Sequence, residues 1–170
     1  MSDRSQGETA LVHLSERLTN SAAFGTLFRE GMDLVEETAA YLDGDGRTEA
    51  KALERSVSLT YATESMRLTT RLMQLASWLL LHRAVKEGEM TLTQANREKT
   101  KVKLSAADPG PDEMIEKLPP QLQDLIARSM ALQGKVRRLD ATIHAPAAER
   151  APIGNPLVPQ LNRLKAAFEQ

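Results

Sequence analysis

Residues 47–88 read RTEAKALERSVSLTYATESMRLTTRLMQLASWLLLHRAVKEG, a stretch with no proline and a glycine only at its last position. Within it Leu53, Val57, Tyr61, Glu64, Leu68, Leu72, Leu75 and Leu79 recur with a period near 3.6, the repeat of one helix face. A second apolar row, Leu59, Ala62, Met66, Met73, Ala76 and Leu80, lies beside the first. The spacing predicts one helix from Arg47 to Glu87, with Asp45 near its N-cap and Gly88 just beyond its end. At ~1.5 Å per residue it would be roughly 60 Å long. So wide an apolar face needs partners on two sides, and the rest of the chain supplies helices to meet it.

Upstream, Phe24, Phe28, Gly31, Val35, Thr38 and Leu42 form a stripe at spacings of four and three, predicting a helix over Ser21 to Leu42. Asn20 or Ser21 can cap it, and Gly44 with Gly46 ends it. Downstream, Thr91-Leu92-Thr93-Gln94 has the capping-box pattern and opens a short helix to about Leu104. Pro119 and Pro120 suit the first turn of a final long helix reaching His144. Along it Leu118, Leu122, Leu125, Ser129, Leu132, Val136, Leu139 and Ile143 make a coiled-coil-like seam. Four prolines between Ala145 and Pro159 mark an extended linker. Beyond it Leu157, Leu161, Leu164 and Phe168 give a small amphipathic patch. No strand pattern and no internal repeat occurs in the sequence.

The fold expected is all-α: an antiparallel bundle of three long helices with shorter connecting helices and a flexible C-terminal tail. Three divisions follow: a polar N-terminal segment over 1–19, the bundle over 20–144, and the linker and tail over 145–170.

Composition narrows function by exclusion. The 170 residues contain no cysteine, which removes disulfide scaffolds, thiol catalysis and zinc sites built on thiolates. Aromatic residues are 4% of the chain, so the core must be made of Leu, Met, Val and Ala. The longest dense apolar run, Leu75 to Val85, falls far short of the ~20 residues a membrane span needs. The first residues lack the apolar stretch of a signal peptide, and the expected location is cytoplasmic. A net charge of −1 offers no global field for nucleic acid. That balance hides opposed segments, −4 over Ser21 to Asp43 and +3 over Arg47 to Gly88.

Specific chemistry is hard to find. His13, His82 and His144 lie on different segments without paired ligand spacing. Asp43-Gly44-Asp45-Gly46 hints at a calcium loop, but Thr48 stands where that loop requires glycine. Glu64 sits on the apolar stripe and reads either as a buried acid or as the partner of Arg67, Arg29 or Arg71. The hydroxyls Ser58, Thr60, Thr63, Ser65, Thr69 and Thr70 read best as bonded back to the helix or across to a neighbour. The basic run Arg97, Lys99, Lys101, Lys103 has no interleaved aromatic residue and reads as a solvated face. No phosphate loop, nucleophile elbow or carboxylate–histidine pairing is present. Neither catalytic residues nor a cofactor or metal site is expected.

The long helix should overhang its shorter neighbours. Trp78, Leu79, Leu80, Leu81 and Val85 would then form an exposed patch larger than a monomer tolerates. A homodimer with these residues at or near the contact is the expected assembly. The tail residues Leu157, Leu161, Leu164 and Phe168 are the candidate element for binding another partner.

The segments Phe28 to Met32, Val35 to Leu42, Tyr61 to Leu80 and Gly88 to Thr91 resemble the regulator of CtrA degradation (RcdA) family of alphaproteobacterial cell-cycle proteins. The resemblance spans about Leu11 to Leu139. It implies a dimerising helical bundle that acts as a non-catalytic adaptor for the ClpXP protease, with the response regulator CtrA as cargo. It further implies three working relationships: the response-regulator-like protein CpdR priming the protease, the cyclic-di-GMP-binding adaptor PopA presenting cargo, and concentration at a cell pole. It supplies no catalytic motif, and neither nucleic acid nor membrane insertion is implied. A dimeric scaffold or signalling module without proteolysis is the alternative, and a small DNA-binding regulator comes third.

Overall fold

The computed structural model describes residues 22–99 and 109–144. Within them are six helices in the order α1 (Ala22–Asp43), α2 (Asp45–Lys51), α3 (Arg55–Lys86), α4 (Leu92–Lys99), α5 (Asp112–Ile115) and α6 (Pro120–His144), and no strand. The N-terminal segment, the candidate caps Asn20 and Ser21, and the linker and tail lie outside the described residues.

The three long helices form the bundle. α1 runs antiparallel to both others: Phe24 meets Trp78 while Gly46, just past its other end, meets Tyr61. Likewise Glu37 pairs with Arg128 and Glu30 with Lys135. α3 and α6, however, run parallel, since Arg71 bonds Ser129 and Trp78 bonds Asp140. A parallel pair needs a crossover, and residues 87–119 provide it. α4 packs against α3 near its C-terminal end, and α5 near its N-terminal half.

The expected single helix over Arg47 to Glu87 is in fact two, broken at Ala52 to Glu54, where Glu54 takes the extended conformation (φ −59°, ψ 153°). The break lets α2 fold back onto α1. Gly46 is buried against the Tyr41 carbonyl, where a side chain would collide, and the Tyr41 hydroxyl donates to Glu49 Oε2 at 2.6 Å. Ala50 and Leu53 thereby pack on the core. A straight continuation would have carried both beyond the end of the bundle into water.

Helix starts and stops follow their local chemistry. The backbone N–H of Gln94 donates to Thr91 Oγ1 (3.1 Å) while that of Thr91 donates to Gln94 Oε1 (2.9 Å), the reciprocal box expected at α4. Gly88 adopts φ +74° two residues after α3, a left-handed turn that favours glycine.

The core is mainly aliphatic, with Phe24, Tyr41, Tyr61 and Trp78 buried among the leucines and valines. The stripe Val57, Tyr61, Leu68, Leu72, Leu75 and Leu79 of α3 is buried as expected, and so is the α6 seam apart from half-buried Leu139. On α1 the buried line is Phe24, Leu27, Gly31, Leu34, Thr38 and Tyr41. The expected members Phe28, Val35 and Leu42 sit half-buried at its edge, because α1 is rotated to present Leu27 and Leu34 inward. Gly31 allows the close α1–α3 approach: a Cβ there would collide with the Leu79 side chain.

Candidate interaction surface

The polar groups inside the bundle join helices to one another. Glu64, 2% exposed, accepts through Oε1 from Arg67 Nη1 (2.6 Å) and from the Gly110 N–H (3.0 Å). The carboxylate singled out in the sequence thus pairs with Arg67 one turn on and ties the start of the α5 segment to α3. Arg71, fully buried, donates from Nη1 to Ser129 Oγ at 2.8 Å, and that hydroxyl donates onward to the Ile126 carbonyl. Trp78 Nε1 donates to Asp140 Oδ1 at 2.9 Å, and Lys99 Nζ donates to Asp140 Oδ2 at 2.7 Å, so one carboxylate fastens α3, α4 and α6. Among the described residues no group of three or more His, Asp and Glu side chains is placed to hold a metal ion.

Two tyrosines are perturbed. Burial pushes Tyr41 well above its usual phenol value of 10.0, and the Glu49 carboxylate that accepts its hydrogen bond pushes it further; burial also raises Tyr61. A raised folded pKa favours the protonated phenol, so this stabilisation is complete below pH 10.0 and is lost as pH rises above it. These are the only tyrosines in the chain. The midpoints of both phenolate absorbance transitions are therefore expected above pH 10.0 in the folded protein, moving down to the ordinary range in denaturant; a half-amplitude step with its midpoint at or below 10.0 in the folded protein contradicts this.

At the surface, Glu37 and Arg128 form a bidentate pair (2.7 and 2.8 Å) between α1 and α6. The hydrogen bonds from Arg128 hold the Glu37 carboxyl below its usual value and raise the guanidinium.

The overhang expected from the sequence is corrected by the packing. Trp78 and Leu79 are completely buried within one chain: Phe24 of α1 packs on Trp78, and Asp140 of α6 holds its N–H. Residues that a single chain already encloses have no face to offer a second one. Leu81 and Val85 are half-buried, and only Leu80, at 51%, is exposed. Leu157, Leu161, Leu164 and Phe168 lie outside the described residues, as do Lys101 and Lys103; Lys99 of the same basic run is engaged by Asp140.

The exposed apolar surface lies along the second row of α3. Leu59, Met66 and Met73 are 71%, 72% and 66% exposed, with Leu80 in line. The hydroxyls beside them turn inward to their own helix: Thr60 to the Ser56 carbonyl, Thr63 to Leu59, Thr69 to Ser65 and Ser77 to Met73. Each hydroxyl proton is used within the helix, which makes the row drier than its composition suggests. A groove of about 170 Å³ runs along it between α1 and α3, lined by Val35, Ala39, Leu42, Leu72, Met73 and Ala76. The sequence showed both apolar rows of α3 but not which one the bundle leaves bare.

These features define an all-helical bundle whose polar interior is committed to holding helices together and whose most distinctive surface is an apolar strip. No helix among the described residues is long and apolar enough to cross a membrane. The chain belongs to the family described as a protein of unknown function, DUF1465, whose model matches residues 15–168. It is also similar to the crystal structure of RcdA from Caulobacter crescentus CB15, at 47% identity and a TM-score of 0.64, over 77% of this chain and 98% of that one. No protein among those with curated descriptions matches it significantly.

Proposed function

We propose that this protein is a non-catalytic adaptor that helps deliver cell-cycle regulators such as CtrA to the ClpXP protease. The observation that carries the reading is the 47% identity to RcdA across nearly the whole of that structure. A bundle with an uncharged docking strip and with carboxylates engaged in helix packing supports binding as its activity. In this reading CpdR primes the protease, PopA presents cargo, and the complexes gather at a cell pole. The adaptor works as a homodimer. The tail residues Leu157, Leu161, Leu164 and Phe168, carried on the proline-rich linker, engage a partner groove, where tethering raises their effective concentration.

Reconstituted proteolysis tests this. CtrA, ClpXP, CpdR and PopA are combined with and without the protein, and the protein is expected to accelerate loss of CtrA. Equal rates in both reactions overturn the adaptor role. In that case a homodimeric scaffold or signalling module unrelated to proteolysis is the second reading, favoured by the apolar strip, and it retains no ClpX in a pull-down.

A further inference from the structure

The exposed row of α3 has an order that neither packing nor helix propensity requires. Leu59, Ala62, Met66, Thr69, Met73, Ala76 and Leu80 step by three and four, the spacing of a coiled-coil seam. The same sequence of residue types is read from either end, with Thr69 at the centre. The symmetry extends one step further, to Arg55 and Arg83.

A two-fold contact uses the same patch on both subunits, so the patch must complement itself after a half-turn. A palindromic row does this when two copies lie antiparallel. We infer that the bare face of α3 is a homodimer interface, with a second α3 crossing antiparallel about an axis at Thr69. This rests on the dimeric reading above and specifies its surface.

In that arrangement Leu59 faces Leu80 of the second copy, Met66 faces Met73, Ala62 faces Ala76, and Thr69 faces itself. The alternation of large and small side chains lets the helices interdigitate. The groove beside Met73, with Val35, Ala39 and Leu42 as its α1 wall, receives methionine from the second copy, and the flexible thioether suits such an irregular hollow. Between Leu59 and Leu80 the charged side chains are Glu64, Arg67 and Arg71; the first and last are buried, and Arg67 is paired with Glu64. The α3 row itself therefore brings no bare charge into the contact, and the exposed carboxylates of the α1 rim, Glu36 and Asp43, flank it. Arg55 falls opposite Arg83 of the second copy at each end, a like-charge pair that Glu54 and the Arg83-bound Glu87 must offset. A slip by one heptad would push an arginine into the apolar zone, so the two ends fix the register. The row is roughly 31 Å long, and with the α1 rim about 20 Å wide, some 600 Å² before surface relief is counted. That approaches the ~800 Å² per partner of a specific interface.

The absence of native cysteine makes the geometry directly testable. Thr69→Cys is expected to form an intermolecular disulfide under mild oxidation with oxidised glutathione. Leu59→Cys and Leu80→Cys are each expected to remain uncrosslinked alone, because like positions lie at opposite ends, but to crosslink when mixed. Met66→Glu with Met73→Glu should give a helical monomer, with its circular dichroism spectrum kept and its mass halved by light scattering. If the native chain is a dimer by light scattering but neither the Thr69→Cys protein nor the mixture crosslinks, this interface is wrong and the dimeric reading survives. A native chain that is monomeric at micromolar concentration overturns both.

Discussion

Trp78→Ala is expected to lower the free energy of unfolding by about 4 kcal/mol, within the range for emptying a fully buried aromatic site. Trp78 has no exposed surface, its ring centroid is 4.1 Å from that of His82 and 6.4 Å from that of Phe24, and its N–H is bonded to Asp140. Truncation removes packing between all three long helices. It also removes the Trp78 N–H that donates to Asp140. Trp78→Phe should cost less, because it retains much of the apolar volume and loses only the N–H. The residue is the only tryptophan, so chemical denaturation must be followed by circular dichroism rather than by intrinsic fluorescence. A cost below about 1 kcal/mol would mean that the site collapses freely and that the tryptophan does not organise this end of the bundle.

The second large effect is expected at Arg71. A completely buried guanidinium loses its hydration on folding, and its polar contacts, the bond to Ser129 among them, offset only part of that cost. Arg71→Ala removes the side chain, leaves a void between α3 and α6, and withdraws the donor from Ser129. The expected loss is about 3 kcal/mol. Arg71→Met fills much of the space and carries no charge to desolvate, so its expected cost is under about 1 kcal/mol. Denaturant midpoints of the two variants decide this. Equal losses would show that the charge and its bond, rather than volume, hold the α3–α6 contact.

These two residues mark the limit of what sequence patterning reveals. The helices, the capping box at Thr91 and the seam of α6 were legible because each depends on spacing along a single element. The break at Ala52 to Glu54 was not, because it exists to seat α2 on α1 and carries neither proline nor glycine. The two faces of α3 are more instructive. Its buried side includes Glu64, Arg71 and His82, while its bare side carries Leu59, Met66 and Met73. Hydropathy alone would rank them in the opposite order. The interior tolerates these polar groups because bonds such as those from Arg67 and the Gly110 N–H to Glu64, and from Arg71 to Ser129, cross between elements, which a one-dimensional pattern cannot display. The same limit explains Trp78 and Leu79. They belong to the apolar run that drew attention to an interface, yet α1 and α6 reach far enough to enclose them.

The parallel course of α3 and α6 bears on how the protein is made. An antiparallel partner to α3 emerges early, since α1 precedes it, but the helix that seals its other side ends 58 residues after Lys86. At about 5–20 residues per second, the face of Leu68, Leu75 and Arg71 waits roughly 3–12 s during synthesis before α6 is complete. During that interval the nascent chain carries an unsealed α1–α3 hairpin with apolar surface on both sides. A chaperone that holds this hairpin would have its greatest effect in those seconds, and a pause in translation between α3 and α6 would lengthen them.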